Sequence, residues 1–304
     1  MVDLSTTVGD LSLPNPVMTA SGTAGHGAEL ASYFDLAELG ALVVKSLSVM
    51  PWAGNPAPRV VEIAGGMMNS VGLQGPGVAG WIEDELPALR DSGARVVASI
   101  WGRTVEEYRQ AADALLEVQD DLLAVEINVS CPNIEDRSKM FSHSAESASA
   151  VLEATQSIRI PRWAKLSPNV PDIAEIAHAV WHAGANAVTL TNTLIGIVLD
   201  PVTGKPVLGG GGGGVSGQAI RPVTLRAVYD VSATYPDLPI IGVGGIAAAE
   251  HAVQYLRAGA SAVQVGTATF ENPRATHKIA KDLGRWCREQ GVERITDLIG
   301  TAHV

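Results

Sequence analysis

Short apolar runs alternate with longer amphipathic stretches along most of the chain. The runs Pro16–Ala20, Ala41–Leu47, Arg95–Ile100, Leu122–Val129, Trp163–Leu166, Ala187–Thr191, Pro239–Val243 and Ala262–Gly266 read as strands. Each is short and rich in Val, Ile, Leu or Ala, the pattern of a strand covered on both faces. Between them, segments such as Val105–Glu117, Ala145–Ser157, Ile173–Ala183, Val223–Ala233 and Ala248–Ala258 repeat apolar residues at helical spacing. Strands alternating with helices imply parallel βαβ units. Eight such units in 304 residues predict a (β/α)8 TIM barrel rather than an open doubly wound sheet. Ahead of them, Val2–Thr7 and Leu11–Leu13 flank Val8-Gly9-Asp10 and predict a short N-terminal β-hairpin.

Two connections are longer than a barrel requires, Ser48–Gly80 and Thr193–Gly217. Long βα loops over the C-terminal mouth of a barrel are binding segments or lids. The second contains Gly209–Gly214, six consecutive glycines, which read either as part of such a loop or as a floppy surface tether. No shift in composition marks a boundary, so residues 1–304 are expected to form a single domain.

Composition narrows the function. The chain is 46% hydrophobic and 17% charged, with a net charge of −11, which argues against a nucleic-acid footprint. Two cysteines, Cys131 and Cys287, are too few for a disulfide framework and fit a reduced, cytoplasmic protein. The first residues lack the basic and apolar regions of a signal peptide. No stretch reaches the roughly 18 apolar residues of a membrane span.

The ends of the strands carry the candidate chemistry. They are small and polar in register: Ala20-Ser21-Gly22, Lys45-Ser46, Ser99, Asn128 to Asn133, Lys165-Leu166-Ser167, Asn192-Thr193, Gly244-Gly245 and Gly266-Thr267. In a barrel these positions face one mouth. Gly242-Val243-Gly244-Gly245-Ile246 and Val265-Gly266-Thr267-Ala268 follow the last two strands, where glycine lets backbone N–H groups approach a phosphate. Each alone would also suit a tight turn. Lys45 and Lys165 end apolar strands and must be paired or solvated. Together with Asn69-Ser70-Val71-Gly72-Leu73, Asn128, Asn133 and Asn192 they suit a planar, anionic heterocycle. Cys131 lies between Asn-Val-Ser and Pro-Asn, a setting that favours reactivity over the commoner role of a small buried hydrophobe. Cys-x-x-Cys and His-Glu-x-x-His are absent, so no metal site is expected.

These motifs resemble the dihydroorotate dehydrogenase family, class 1. The matching stretches are Ala20-Ser21-Gly22, Lys45-Ser46, Asn69 to Gln74, Asn128-Val129-Ser130-Cys131-Pro132-Asn133, Ala164 to Asn169, Asn192-Thr193-Leu194, Gly217, Gly244-Gly245 and Gly266-Thr267, in order over nearly the whole chain. The resemblance implies a (β/α)8 barrel with one FMN at the mouth. It implies oxidation of (S)-dihydroorotate to orotate in de novo pyrimidine biosynthesis. Gly244, Gly245, Gly266 and Thr267 would hold the FMN phosphate. Ala20, Ser21, Lys45, Ser46, Ser99, Asn128, Lys165, Thr191 and Gly217 would contact the rest of the flavin. Lys45, Asn69, Ser70, Val71, Gly72, Leu73, Asn128, Asn133, Asn192 and Thr193 would hold the substrate. Cys131 would take the proton from C5 while hydride passes from C6 to the flavin. A thiol near its ordinary pKa is only partly thiolate, so a lowered pKa or a closed polar loop is expected to assist it.

Within class 1 the chain is most similar to the NAD-linked branch, class 1B, through Asn192 to Gly196 with Asp200, Gly214-Val215-Ser216-Gly217 and Gly259 to Ala268. That likeness implies a homodimer joined by a partner subunit carrying FAD and a [2Fe–2S] cluster. Two departures stand out. Ser99 replaces the family's usual Asn beside the flavin, and the loop 134–142 lacks the expected glycines and carries Glu135, Asp136, Arg137 and Lys139. Two alternatives remain at this stage. One is a flavin oxidoreductase acting on another dihydropyrimidine or dihydrouridine-type ring. The other is a flavin-free phosphate-binding lyase or isomerase using Lys45 or Lys165.

Overall fold

The computed structural model describes residues 2–133 and 139–303. The expectation for loop 134–142 therefore lies partly outside the described residues. Eight parallel strands form one sheet: β1 (Val17–Thr19), β2 (Leu42–Val43), β3 (Val96–Ile100), β4 (Leu122–Asn128), β5 (Arg162–Leu166), β6 (Ala187–Leu190), β7 (Ile240–Val243) and β8 (Ala262–Val265). Neighbours in sequence are neighbours in the sheet, and β8 pairs back to β1. The seam closes through the Thr19 N–H donating to the Ala41 carbonyl (3.3 Å) and the Gly40 N–H donating to Val17 (2.9 Å). The sheet is a (β/α)8 barrel, as the strand and helix rhythm predicts.

Helices α1 (Gly77–Asp84) and α2 (Leu86–Asp91) follow β2, and α3 (Val105–Ala114), α4 (Ala145–Ala154), α5 (Ile173–His182), α6 (Arg221–Thr234) and α7 (Ala249–Arg257) follow later strands. After β8 come α8 (Ala268–Glu271) and α9 (Ala275–Glu289). Local chemistry fixes several starts. The side chain of Thr104 accepts from the Glu107 N–H, Ser144 from Ser147, and Asp172 from Ala174 and Glu175, each satisfying helix-end donors that would otherwise be unpaired. Among the described residues no helix is long and apolar enough to cross a membrane.

Period-two alternation sorts each strand. On β4, Val125 and Ile127 face the helices, while Ala124 belongs to the barrel interior; on β5, Ala164 and Leu166 face out and Trp163 in. The lower interior is apolar: Met18, Val43, Val97, Ala124, Trp163, Ala187, Ile241 and Ala262, sealed from below by Val8 and Leu13. Those last two come from the hairpin Thr6–Val8 and Leu11–Leu13, tied to the barrel by the Thr6 hydroxyl donating to the Ser261 carbonyl (2.8 Å). Burying each larger side chain in this plug stabilises the fold by roughly 1.5–3 kcal/mol. Polar side chains begin only above this layer, which confines the chemistry to the other end.

Over that end lies a four-stranded antiparallel sheet, in the order Leu194–Gly196, Gly213–Ser216, Gly66–Asn69, Val60–Ile63. The sequence pattern reads these segments as loops, because the strands are short and glycine-rich. Parts of the glycine run pack closely against neighbouring backbone. A Cβ on Gly213 would lie 2.2 Å from the Asn69 carbonyl oxygen, and one on Gly209 would lie 2.2 Å from that of Pro56. Glycine is there so that two backbones can touch.

Candidate active site

The barrel mouth and the antiparallel cover enclose a cavity of about 280 Å³. Ala20 and Ser21 reach it from the end of β1, Lys45 and Ser46 from beyond β2, Asn128 and Cys131 from β4, Lys165 from β5, and Thr191, Asn192 and Thr193 from beyond β6. Gly244 and Gly245 follow β7, Gly266 and Thr267 follow β8, and Gly217 ends the cover. The cover and its loop contribute Asn69, Val71, Gly72 and Leu73. Residues scattered over nearly 250 positions are thus brought to one space by two devices, the C-terminal ends of the barrel strands and the antiparallel cover above them.

At the β7 and β8 ends, Gly244 (φ +137°), Gly245 (φ +67°) and Gly217 (φ +98°) adopt backbone that side chains disfavour. Among the described residues, the N–H groups of Gly245, Gly266 and Thr267 find no protein acceptor. Unpaired donors at paired βα turns fit an anion such as a phosphate. The Thr267 hydroxyl donates to Ser216 at 2.8 Å, joining the cradle to the cover.

A hydroxyl and amide chain runs through the centre. Ser21 and Ser46 are hydrogen-bonded at 3.1 Å, Ser46 and Ser99 at 2.9 Å, and the Asn192 amide donates to the Asn128 side-chain oxygen at 3.1 Å. The Thr193 N–H donates to the Asn192 side chain at 2.8 Å. These amides are fixed by one another and present their remaining valences to the cavity.

Both lysines turn inward rather than out to water. Burial pulls the Lys45 pKa down; the Cys131 group opposes that shift and the neighbouring Lys165 charge adds to it. Lys165 is 5% exposed and ion-paired to Glu126 at 3.3 Å. Cys131 is 1% exposed, its Sγ 3.5 Å from the Asn128 carbonyl. Burial pushes its thiol up to about 12, against the opposing pull of a Tyr108 hydrogen bond and the Lys45 charge. Of the two expected aids, a lowered pKa or a closed polar loop, the pocket does not produce the first, because desolvation outweighs both partners.

Two expected site residues, Ser99 and Ser70, are not on the cavity wall. Ser99 is fully buried behind Ser46, reaching the cavity only through it. Ser70 faces away, its hydroxyl accepting from the Asn55 amide at 2.9 Å. Asn133 pairs through its backbone with Lys139, and the expectation for its side chain lies outside the described residues. The wall also includes Met67, Val60, Ser216 and Phe270, which sequence patterning does not single out. Phe270 is 58% exposed on a four-residue helix, and no local signal separates it from an ordinary surface aromatic. Glu126 was likewise hidden within an apolar run.

A family model described as dihydroorotate dehydrogenase matches residues 3–286. The chain is 46% identical over 303 residues to a Desulforudis audaxviator protein named dihydroorotate dehydrogenase B (NAD(+)), catalytic subunit, covering 99% of this chain and 98% of that one. It is 44% identical over 299 residues to a protein of the same name from Pelobacter propionicus, covering 98% of each. A third relative of that name, from Geobacter sulfurreducens, is 42% identical over 303 residues and covers 99% of each chain.

Proposed function

The chain belongs to the dihydroorotate dehydrogenase family, and from that premise we propose that its barrel mouth holds FMN and dihydroorotate together. The reaction is the oxidation of (S)-dihydroorotate to orotate in pyrimidine biosynthesis. The observation that carries the reading is one cavity presenting a cysteine, two lysines and a set of unpaired backbone donors.

The residues present fit FMN. Gly244, Gly245, Gly266 and Thr267 suit its phosphate through backbone N–H groups, with Gly217 close by. Ala20, Ser21, Ser46, Thr191 and Lys165 suit the polar edge of the ring system. Ser99 would act through Ser46. When bound, the flavin supplies the acceptor for the hydride at substrate C6.

The chain's own part is to bind, orient and move a proton. Lys45 neutralises the substrate carboxylate, and Asn69, Asn128, Asn192 and Thr193 hold the amide groups of the ring. The backbone of Val71, Gly72 and Leu73 closes one side, with Leu73 held at φ +61°. Ser70 supports that loop from behind, and Asn133 is assigned to the same substrate group. The Cys131 thiolate takes the proton from C5, the C5–C6 double bond forms, and the hydride leaves from C6. The raised thiol pKa means that few molecules carry a thiolate at neutral pH. The same thiol is well suited as the acid in the reverse direction.

The relatives are named as catalytic subunits of an NAD(+) enzyme, which supports a partner that passes electrons onward. We assign FAD and a [2Fe–2S] cluster to that partner. Cys131 and Cys287 are both buried, and a cluster needs several thiolates. A homodimer of the catalytic chain at the centre of this assembly belongs to the same proposal.

An anaerobic titration of the purified chain with dihydroorotate tests the reading. Bleaching of the flavin absorbance is expected. Bleaching by a dihydropyrimidine but not by dihydroorotate would move the substrate, and a chain that takes up no flavin would overturn the site.

A further inference from the structure

Beneath the cavity floor lies a buried polar cluster that neither proton transfer nor substrate binding employs. Glu126, on β4 two residues before Asn128, is completely buried. Its Oε1 accepts from Lys165 Nζ at 3.3 Å, and its Oε2 accepts from the Thr189 hydroxyl at 3.2 Å and from the Gln264 amide at 2.7 Å. The Gln264 side-chain oxygen in turn accepts from Lys165 Nζ at 3.3 Å. Glu126 and Gln264 are absent from the cavity wall, whereas Lys165 is part of it.

A buried ion pair is a poor device for stability, since an apolar group of similar shape commonly serves as well or better. It does supply orientation. An ammonium has three donors. Two are occupied from below by Glu126 and Gln264, which leaves the third for the cavity. It also supplies charge control. A cation beside a flavin ring stabilises the negative charge of its reduced form, and a carboxylate directly behind that cation weakens the effect.

We propose that Glu126 is a positioning residue that holds the Lys165 ammonium against the cofactor and offsets its charge, thereby setting the reduction potential of the bound flavin. The proposal rests on the FMN reading of the cavity. Gln264 completes the device by bridging both charged groups, and Thr189 fixes the carboxylate rotamer.

The experiment is a spectroelectrochemical titration of FMN-loaded protein, with FMN affinity of the apoprotein measured in parallel by flavin fluorescence. Glu126→Gln keeps the shape and removes the negative charge, so the potential is expected to shift positive. The double variant E126Q/Q264E exchanges the amide and the carboxylate. The carboxylate introduced by Q264E can still accept from Lys165, and the amide introduced by E126Q can donate to that carboxylate, so the potential is expected to return to the wild-type value. A potential unmoved by E126Q, or a swap that fails to restore it, would overturn the role of Glu126. Where E126Q alone does not fold, the swap carries the test: a wild-type potential supports the charge pairing, and a displaced one refutes it. A wild-type protein that takes up no FMN overturns the cofactor reading itself, and this inference with it. A purely structural role for Glu126 would lower stability in E126Q without moving the potential of the folded fraction.

Discussion

The Tyr108 hydroxyl and the Cys131 thiol share one acceptor, the carbonyl of Asn128, at 2.6 Å and 3.5 Å. Tyr108 comes from α3, Cys131 and Asn128 from the end of β4, so the contact ties an outer helix to the reacting atom. Phe141 stacks edge-on against the Tyr108 ring at 5.3 Å and holds it in place. The hydroxyl gives its one proton to the Asn128 carbonyl beside the neutral thiol, and lowers the thiol pKa by turning that proton to the thiolate once it forms, working against burial.

Tyr108→Phe keeps that stacking and removes the hydroxyl. The thiol pKa is expected to rise further, with a loss of thiolate on the order of tenfold. Turnover near neutral pH should fall by a similar factor, while stability drops by only about 1 kcal/mol. The check is a pH–rate profile beside a thermal melt. A profile that does not move toward alkaline pH would remove Tyr108 from the proton step.

The thiol itself dictates a second outcome. The base is active when deprotonated, and its pKa is pushed up to about 12. Below that value the active fraction grows about tenfold per pH unit, so the rate of flavin reduction should climb steadily from neutral into alkaline pH. Cys131→Ala should retain FMN and lose most turnover. Cys131→Ser should recover only at higher pH, because a hydroxyl is the weaker acid. Stopped-flow reduction of the bound flavin measures all three. Near wild-type reduction by the alanine variant would exclude Cys131 as the base.

How much of this is legible in the sequence differs between the two layers of the fold. The barrel is legible because each strand is a continuous apolar run and each helix repeats at its own period, and the ends differ from expectation by a few residues only. The strand-end motifs follow from the barrel, which is why Lys45, Lys165, Cys131 and the glycines after β7 and β8 are found together. The antiparallel cover is not legible. Gly213–Ser216 pairs with Gly66–Asn69 across the mouth, and nothing local in either segment announces a partner so distant in sequence. Ser99 shows the other limit: its position at a strand end is legible, but the Ser46 hydroxyl standing in front of it is a matter of packing. The upward shift of the Cys131 thiol is not legible for the same reason, since burial of a thiol depends on the walls that close around it.

Lys45 sets a third expectation. Burial holds its pKa below that of a free lysine, with Lys165 adding to the effect and Cys131 opposing it. A carboxylate ligand needs the charged form, which is lost as pH rises through the lowered value. Orotate affinity should therefore weaken at a less alkaline pH than ordinary lysine titration would produce. Lys45→Met should weaken orotate binding by about 1.5–3 kcal/mol, at least tenfold, where Lys45 is charged, and the difference from wild type should shrink as pH rises through the lowered value. Perturbation of the flavin spectrum by orotate reads both effects. Affinity that is flat with pH and indifferent to the methionine would place the carboxylate elsewhere.

The cover sheet makes a last prediction, and it separates the two ligands. A Cβ at position 213 would meet the Asn69 carbonyl oxygen at 2.2 Å and its carbon at 2.8 Å. Both are backbone atoms in a paired strand, so the contact cannot be relieved by a rotamer change. Gly213→Ala must push the strand Gly66–Asn69 away, and Asn69 is, beside Met67, a residue through which that strand reaches the cavity. The phosphate cradle belongs to β7 and β8 and meets the cover through Ser216, not through the strand Gly66–Asn69. KM for dihydroorotate should rise tenfold or more, a cost of about 1.4 kcal/mol or above, with FMN content unchanged. Gly211→Ala is the control. No atom lies within 4 Å of a Cβ there, so the substitution carries only the strain of φ +84°, about 1–2 kcal/mol. Its KM should stay near the wild-type value. If both variants behave alike, the close approach at Gly213 does not position Asn69, and the cover acts on the substrate through some other contact.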